Sequence, residues 1–187
     1  MDNDGVLSQD NEDKVWLGVV PEEISKKRNI SFKEAYDFCI EEYKKFEGME
    51  EWYDLDFWEK RFGFEIKKHV RSENIFEDAK EFLEKFGNRT IVVTAAHPSI
   101  INITTKKIKP FVSKIYSTFD FGIPKENPAF FHALIKKEHL TPENLVFVDD
   151  KTGNVEAARK AGIKSFLLDR NAKEKKESVI SSLKELM

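Results

Sequence analysis

Two aspartates one residue apart open the chain, in Met1-Asp2-Asn3-Asp4-Gly5, and two more stand side by side near the other end, Asp149 and Asp150. The second pair closes Leu145-Val146-Phe147-Val148, an apolar run that reads as a buried strand. Carboxylates gathered at the ends of such segments are costly to bring together without a cation. Their convergence would point to a bound divalent metal and an anionic substrate. In extended backbone Asp2 and Asp4 direct their side chains to the same side. Asp149 and Asp150 would complete an oxygen-rich shell of the kind magnesium prefers.

Phosphoryl transfer with a carboxylate nucleophile is one chemistry that needs such a set. The substrate is itself anionic, so an attacking carboxylate must be screened by a metal. A second acid must protonate the leaving oxygen and later activate water. Hydroxyl and ammonium donors must hold the equatorial oxygens, since positioning and charge stabilisation supply most of the rate. Thr94, ending the apolar run Ile91-Val92-Val93, offers a hydroxyl, and Lys125, in a loop that enters a helix at Pro128, offers an ammonium. Each has a plainer reading when taken singly. Asp149 and Asp150 suit a solvated helix N-terminus, Thr94 a strand-end backbone group, Lys125 the surface. His97 reads as a loop histidine that packs locally. His69, His132 and His139 show no ligand spacing to one another.

The elements that must position these residues fall into two styles. From Pro21 to about Phe62 only helical periodicity is present. Ser31 and Glu34 form a capping box ahead of a helix with Phe32, Tyr36, Cys39, Ile40 and Tyr43 on one face. Leu55, Trp58 and Phe62 continue the spacing, and Trp16, Trp52 and Trp58 read chiefly as helix packing. Asn74 is expected to cap a helix that Gly87 ends in the left-handed region. Beyond it, short apolar strands alternate with helices: Ile91 to Thr94, Ile115 to Phe119, a helix from Pro128 to Glu138, the strand ending at Asp149, a helix around Val155 to Ala161, Ser165 to Leu168, and a terminal helix over Val179 to Leu186. That order predicts a parallel sheet covered on both faces, with functional residues beyond the strands' carboxyl ends.

Composition narrows the class. The chain has 187 residues, 40% hydrophobic and 35% charged, with a net charge of -3. Basic and acidic residues are interleaved, which gives no reason to expect a nucleic-acid surface. No apolar run approaches a membrane span and no signal-peptide pattern opens the chain, so a cytoplasmic location is expected. The single cysteine, Cys39, excludes an internal disulfide and a Cys-based zinc site. Sixteen phenylalanines predict an aromatic-rich interior.

Asp2-Asn3-Asp4-Gly5-Val6-Leu7 resembles the first motif of the haloacid dehalogenase superfamily, Asp-x-Asp-Gly-Thr/Val-Leu. Ile91 to Thr94 resembles the second, and Lys125-Glu126-Asn127-Pro128 the third. Val146 to Asp150, with Asn154, Glu156-Ala157-Ala158 and Ala161-Gly162-Ile163, resembles the fourth and its helix. The four stand in the family's order. The resemblance implies an α/β fold, a HAD-like Rossmannoid parallel sheet with helices on both faces, and a small α-helical cap inserted after the first motif. It divides the chain into a core of residues 1–13 and 72–187 and a cap of residues 14–71. It makes Asp2 the nucleophile and Asp4 the general acid/base. Asp2, the main-chain carbonyl of Asp4, and Asp150 would bind Mg²⁺, with Asp149 close by, and Thr94 and Lys125 would hold the phosphoryl group.

An acid at Asp4 favours a phosphatase acting on a small phosphorylated metabolite, a sugar phosphate or a nucleotide. A phosphomutase and a non-catalytic phosphate-binding domain are the alternatives; a dehalogenase lacks this acid. In the family an apolar strand runs directly into the first aspartate, whereas here only Met1 precedes Asp2. The expectation is therefore a sequence truncated at its start, with about five apolar residues ahead of Met1 in a longer form.

Overall fold

The computed structural model describes residues 1–9, 13–173 and 176–187. Its strands are short and apolar, and each sends successive side chains to opposite faces. Val92 and Val148 join one core with Ala79, Phe82 and Leu183, while their neighbours Val93 and Phe147 join another with Phe130, Phe131 and Ala158. Two apolar faces require two helical layers.

The chain forms two compact units. One comprises Met1–Gln9, Asn74–Ala95 and Thr105–Met187; the other comprises Asp10–Glu73 and Ala96–Thr104. The second unit is helical. A π-helical segment, Lys14–Val19, runs into α1 (Val20–Arg28), followed by α2 (Phe32–Lys44), α3 (Leu55–Phe62) and, from the second segment, the short α5 (Ile101–Thr104). The predicted capping box is present, Ser31 accepting from the Glu34 amide at 3.2 Å and Glu34 from the Ser31 amide at 2.9 Å. Trp58 is fully packed, its ring edge-on to Tyr43, Phe46 and Trp16 and stacked on Phe62. Cys39 lies in the same core.

The first unit is the α/β one. It contains α4 (Glu77–Phe86), β1 (Ile91–Thr94), β2 (Lys114–Ser117), α6 (Pro128–Glu138), β3 (Val146–Asp149), α7 (Thr152–Lys160), β4 (Lys164–Leu168) and β5 (Val179–Ile180). β1 pairs with β2, and β3, β4 and β5 pair in that order, every pairing parallel. Met1 and Asp2 span the space between the two groups. The Met1 amine donates to the Ile91 carbonyl at 2.8 Å and its carbonyl accepts from Val93 at 2.9 Å, while the Asp2 amide donates to Val148 at 3.0 Å. These two residues thus behave as the last step of a central strand. Met1 also lines a partly open pocket of about 940 Å³, together with Phe82, Val93, Phe131, Arg89 and Lys164 among others.

Three local expectations are corrected. Residues 179–186 form β5 and a 3₁₀ turn (Leu183–Leu186), not a helix, because Leu167 and Leu168 offer a strand edge to Val179 and Ile180. Gly87 has φ -57, a right-handed value; it is glycine because a Cβ would meet the Phe111 carbonyl oxygen at 2.0 Å. Asn74 does not cap α4. Its carbonyl accepts from Gln9 and its side chain from Lys107, and Phe76 stands at the cap position. Among the described residues no helix is long and apolar enough to cross a membrane.

Candidate active site

Parallel strands end on one side of a sheet, so the residues that follow them are brought together. Asp149 ends β3, Thr94 ends β1, and Asp2 lies between the two strands through its backbone bonds. Lys125 arrives from the loop before α6, where Asn127 caps the helix and Pro128 takes its first position. Its side chain is buried at 4% exposure, and its ammonium donates to Asp2 Oδ1 at 2.6 Å, Asp149 Oδ2 at 3.0 Å and the Val93 carbonyl at 3.5 Å. Asp2 and Asp149, 147 positions apart, therefore meet at one lysine.

Asp149 is engaged on both oxygens. Oδ1 accepts from the Lys151 amide and from Asn154 Nδ2, each at 2.9 Å, which ties the carboxylate to the start of α7. Asp150 is different: its Oδ1 is buried with no hydrogen-bond partner. Ligand atoms of Asp2, Asp149 and Asp150 lie within 4.8 Å of one another, close enough to share one cation. An orphaned carboxylate oxygen beside two other acids is the arrangement a hard, oxygen-seeking divalent ion would satisfy. Gly5 makes room for it. Its φ is +74, and a Cβ there would come within 2.1 Å of Asp150 Oδ2.

The electrostatics agree. Burial pushes Asp2 up to about 8; Lys125 opposes this, and Asp149 and Asp4 add to it. Burial, reinforced by Asp149, also pushes Asp150 up to about 6. Lys125 loses by burial but is held above its ordinary value by Asp2 and Asp149, so it stays charged. The acids outnumber the ammonium, and the surplus must be met by a proton or a cation. Asp4 is partly exposed and accepts from Asn3 Nδ2 at 3.2 Å. Thr94 is buried at the end of β1, one residue beyond the carbonyl that faces Lys125.

Of the residues singled out from sequence, Asp2, Lys125, Asp149 and Asp150 converge, and the charge of Asp4 is felt at Asp2. His97 belongs to the helical unit, where its ring nitrogens face Ser99 and Asp54. Asp54, Asp56 and His97 form a second acidic group there, but Asp54 Oδ1 already caps α3 by accepting from Asp56 and Phe57 amides. Arg170, which no motif in the sequence marks, donates to the carbonyls of Gly5 and Val6 immediately after Asp4. Its place just past β4 was the available signal.

The family model for the haloacid dehalogenase-like hydrolases matches residues 11–168. The chain is 28% identical over 161 residues to a GMP/IMP nucleotidase of Escherichia coli strain K12, covering 81% of this chain and 72% of that protein. A D-ribitol-5-phosphate phosphatase of Bacteroides thetaiotaomicron is 27% identical over 75 residues, 40% of this chain and 36% of that one. In fold it resembles a HAD phosphatase from Thermococcus onnurineus, with TM-score 0.79, 21% identity, and 99% and 93% of the two chains covered. Asp2 and Asp4 precede the matched span; Asp2 is joined to it by its amide bond to the Val148 carbonyl and by the Lys125 ammonium, and Met1 by the Val93 amide. With its acids gathered at the carboxyl ends of a parallel sheet and most of its length matched, the chain belongs to the haloacid dehalogenase-like hydrolases.

Proposed function

We propose that the chain is a Mg²⁺-dependent phosphatase of the cytoplasm that hydrolyses a small phosphorylated metabolite, a sugar phosphate or a nucleotide, through an aspartyl-phosphate on Asp2. The observation that carries this reading is the Lys125 ammonium bridging Asp2 and Asp149 beside the unpartnered Asp150 oxygen. A nucleotidase and a ribitol-phosphate phosphatase among the relatives support the substrate class. Residues 14–71 take the part of the family's substrate-selecting cap, and residues 1–13 and 72–187 that of the catalytic core.

In this reading an Asp2 carboxylate oxygen attacks phosphorus as the bond to the ester oxygen breaks. Asp4, as the acid, gives its proton to that leaving oxygen. Water then attacks phosphorus, its proton passing to the Asp4 carboxylate, and the bond to Asp2 breaks to release inorganic phosphate. Lys125 and Thr94 hold the phosphoryl oxygens, and Asp149 and Asn154 keep Lys125 aimed. A Mg²⁺ held by Asp2, Asp150 and the Asp4 carbonyl would screen the negative charge between nucleophile and substrate. Such a cation would also favour the ionised form of Asp2 against the burial that raises it, since a neutral carboxyl does not attack.

The test is release of phosphate from p-nitrophenyl phosphate, with and without EDTA. Metal-dependent turnover that Asp2→Asn abolishes supports the reading. Full turnover in EDTA, or in Asp2→Asn, would overturn it.

A further inference from the structure

Arg170 stands two residues beyond the end of β4 and makes contacts unlike those of an ordinary surface arginine. Its Nη1 donates to both oxygens of Asp78 at 3.0 Å, its Nη2 to the Val6 carbonyl at 2.7 Å, and its Nε to the Gly5 carbonyl at 3.4 Å. The guanidinium lies 3.7 Å from the centre of the Phe76 ring. Asp78, in the first turn of α4, also accepts from Ser182 Oγ and the Leu183 amide, each at 2.8 Å. One planar fork therefore joins α4 to the loop that follows Asp4, and Asp78 ties the C-terminal turn to the same point.

That loop has an ordered interior. Gly5 donates to the Ser8 carbonyl at 2.9 Å, and Leu7 and Ser8 donate to the Asn3 carbonyl at 2.8 and 2.9 Å. The carbonyls of Gly5 and Val6 turn outward, and Arg170 is what they meet. Gly5 follows Asp4 directly, and its α-carbon is where any added side chain would strike Asp150. The turn that carries Asp4 thus lies directly against the Asp150 carboxylate.

We propose that Arg170 is a positioning residue: anchored by Asp78, it fixes the Gly5 and Val6 peptide groups and so sets the aim of Asp4 toward the reacting centre. The role given to Asp4 rests on the phosphatase reading; the clamp on the loop does not. Lysine is no substitute here, because a point charge with no planar fork does not span two carbonyls and a carboxylate at once. A loop displaced by even an ångström loses rate without losing substrate binding.

The experiment uses the full chain with Arg170→Lys, Arg170→Ala and Asp78→Asn, the last weakening the anchor at constant size in case the arginine variants fold poorly. Amide hydrogen exchange gives a readout that needs no activity. Exchange at Gly5, Leu7 and Ser8 is expected to quicken about tenfold or more, with β1 and β3 unchanged. Per folded molecule, kcat for p-nitrophenyl phosphate falls about 10- to 100-fold with KM within about twofold. Millimolar guanidinium ion restores part of the rate to Arg170→Ala but not to Asp2→Asn. A lowered Tm with loop exchange and kcat both unchanged would reduce Arg170 to a structural brace and overturn the proposal, as would exchange that quickens equally through β1 and β3. An inactive wild-type chain would reject the phosphatase reading alone, and loop exchange would still decide the clamp.

Discussion

The α/β unit contains two buried acid clusters built on opposite principles. Around Asp78 every demand is met. Arg170 covers both oxygens, Ser182 and the Leu183 amide add donors, and although burial pushes the carboxyl up, these bonds hold it below the usual carboxylate range. Around Lys125 the demands exceed the supply. Asp2 and Asp149 share one ammonium, Asp150 keeps a buried oxygen without a partner, and Asp2 is driven up to about 8. A satisfied cluster holds structure in place, whereas surplus buried charge is the kind of arrangement found where chemistry is done. The Asp2 cluster is both the more deeply buried and the poorer in donors.

The largest effect that separates them is catalytic. Asp2→Asn is expected to reduce phosphate release to background while leaving Tm unchanged or higher, because it removes surplus buried charge; phosphate assays and calorimetry check both. The reverse pattern is expected at the satisfied cluster. Asp78→Ala strands the Arg170 guanidinium and should cost about 3 kcal/mol in urea unfolding; a loss below about 1 kcal/mol would show that the pair contributes little.

Gly5→Ala tests the space between the clusters. The left-handed φ of +74 alone costs about 1–2 kcal/mol for alanine, and the clash with Asp150 Oδ2 adds displacement of that carboxylate. Isothermal titration should show weakened Mg²⁺ binding; undiminished affinity would mean that Asp150 does not face the ion.

The smallest effect is on pH dependence, and its sign differs between the clusters. Asp150 and Asp2 bind protons more readily folded than unfolded, so their favourable contribution is present at low pH and lost as pH rises through about 6 for Asp150 and about 8 for Asp2. In EDTA, Tm should therefore fall from pH 5 to pH 8, and added Mg²⁺ should offset the fall. Asp78 runs the other way: its contribution is present above the ordinary carboxylate range and lost as pH drops through its lowered value. The Tm gap between wild type and Asp78→Asn should shrink in acid. A gap independent of pH would show that charge is not what Asp78 supplies.

Much of this was legible from residues alone. The capping box at Ser31 and Glu34 formed as read because it is a local exchange of hydrogen bonds within one turn. The strands at Ile91 and Val146 ended where their apolar runs met Thr94 and Asp149. Residues 179–186 depart from the helical expectation because Val179 and Ile180 suit either a helix or a strand, and the open edge of β4 decides between them. The position of Gly87 after a helix suggests a left-handed cap, but its real constraint is the Phe111 carbonyl, a contact 24 residues away in sequence that no local pattern encodes.

The order of the acidic, hydroxyl and ammonium residues along the chain, and the apolar alternation that carries them, were fixed by the sequence, since both depend on neighbouring residues. Which carboxylate touches Lys125, which oxygen is left unpartnered, and which arginine holds the loop after Asp4 were decided only by the tertiary structure. Those contacts join residues 24 to 165 positions apart, and distances of that kind are set by how the strands are laid side by side.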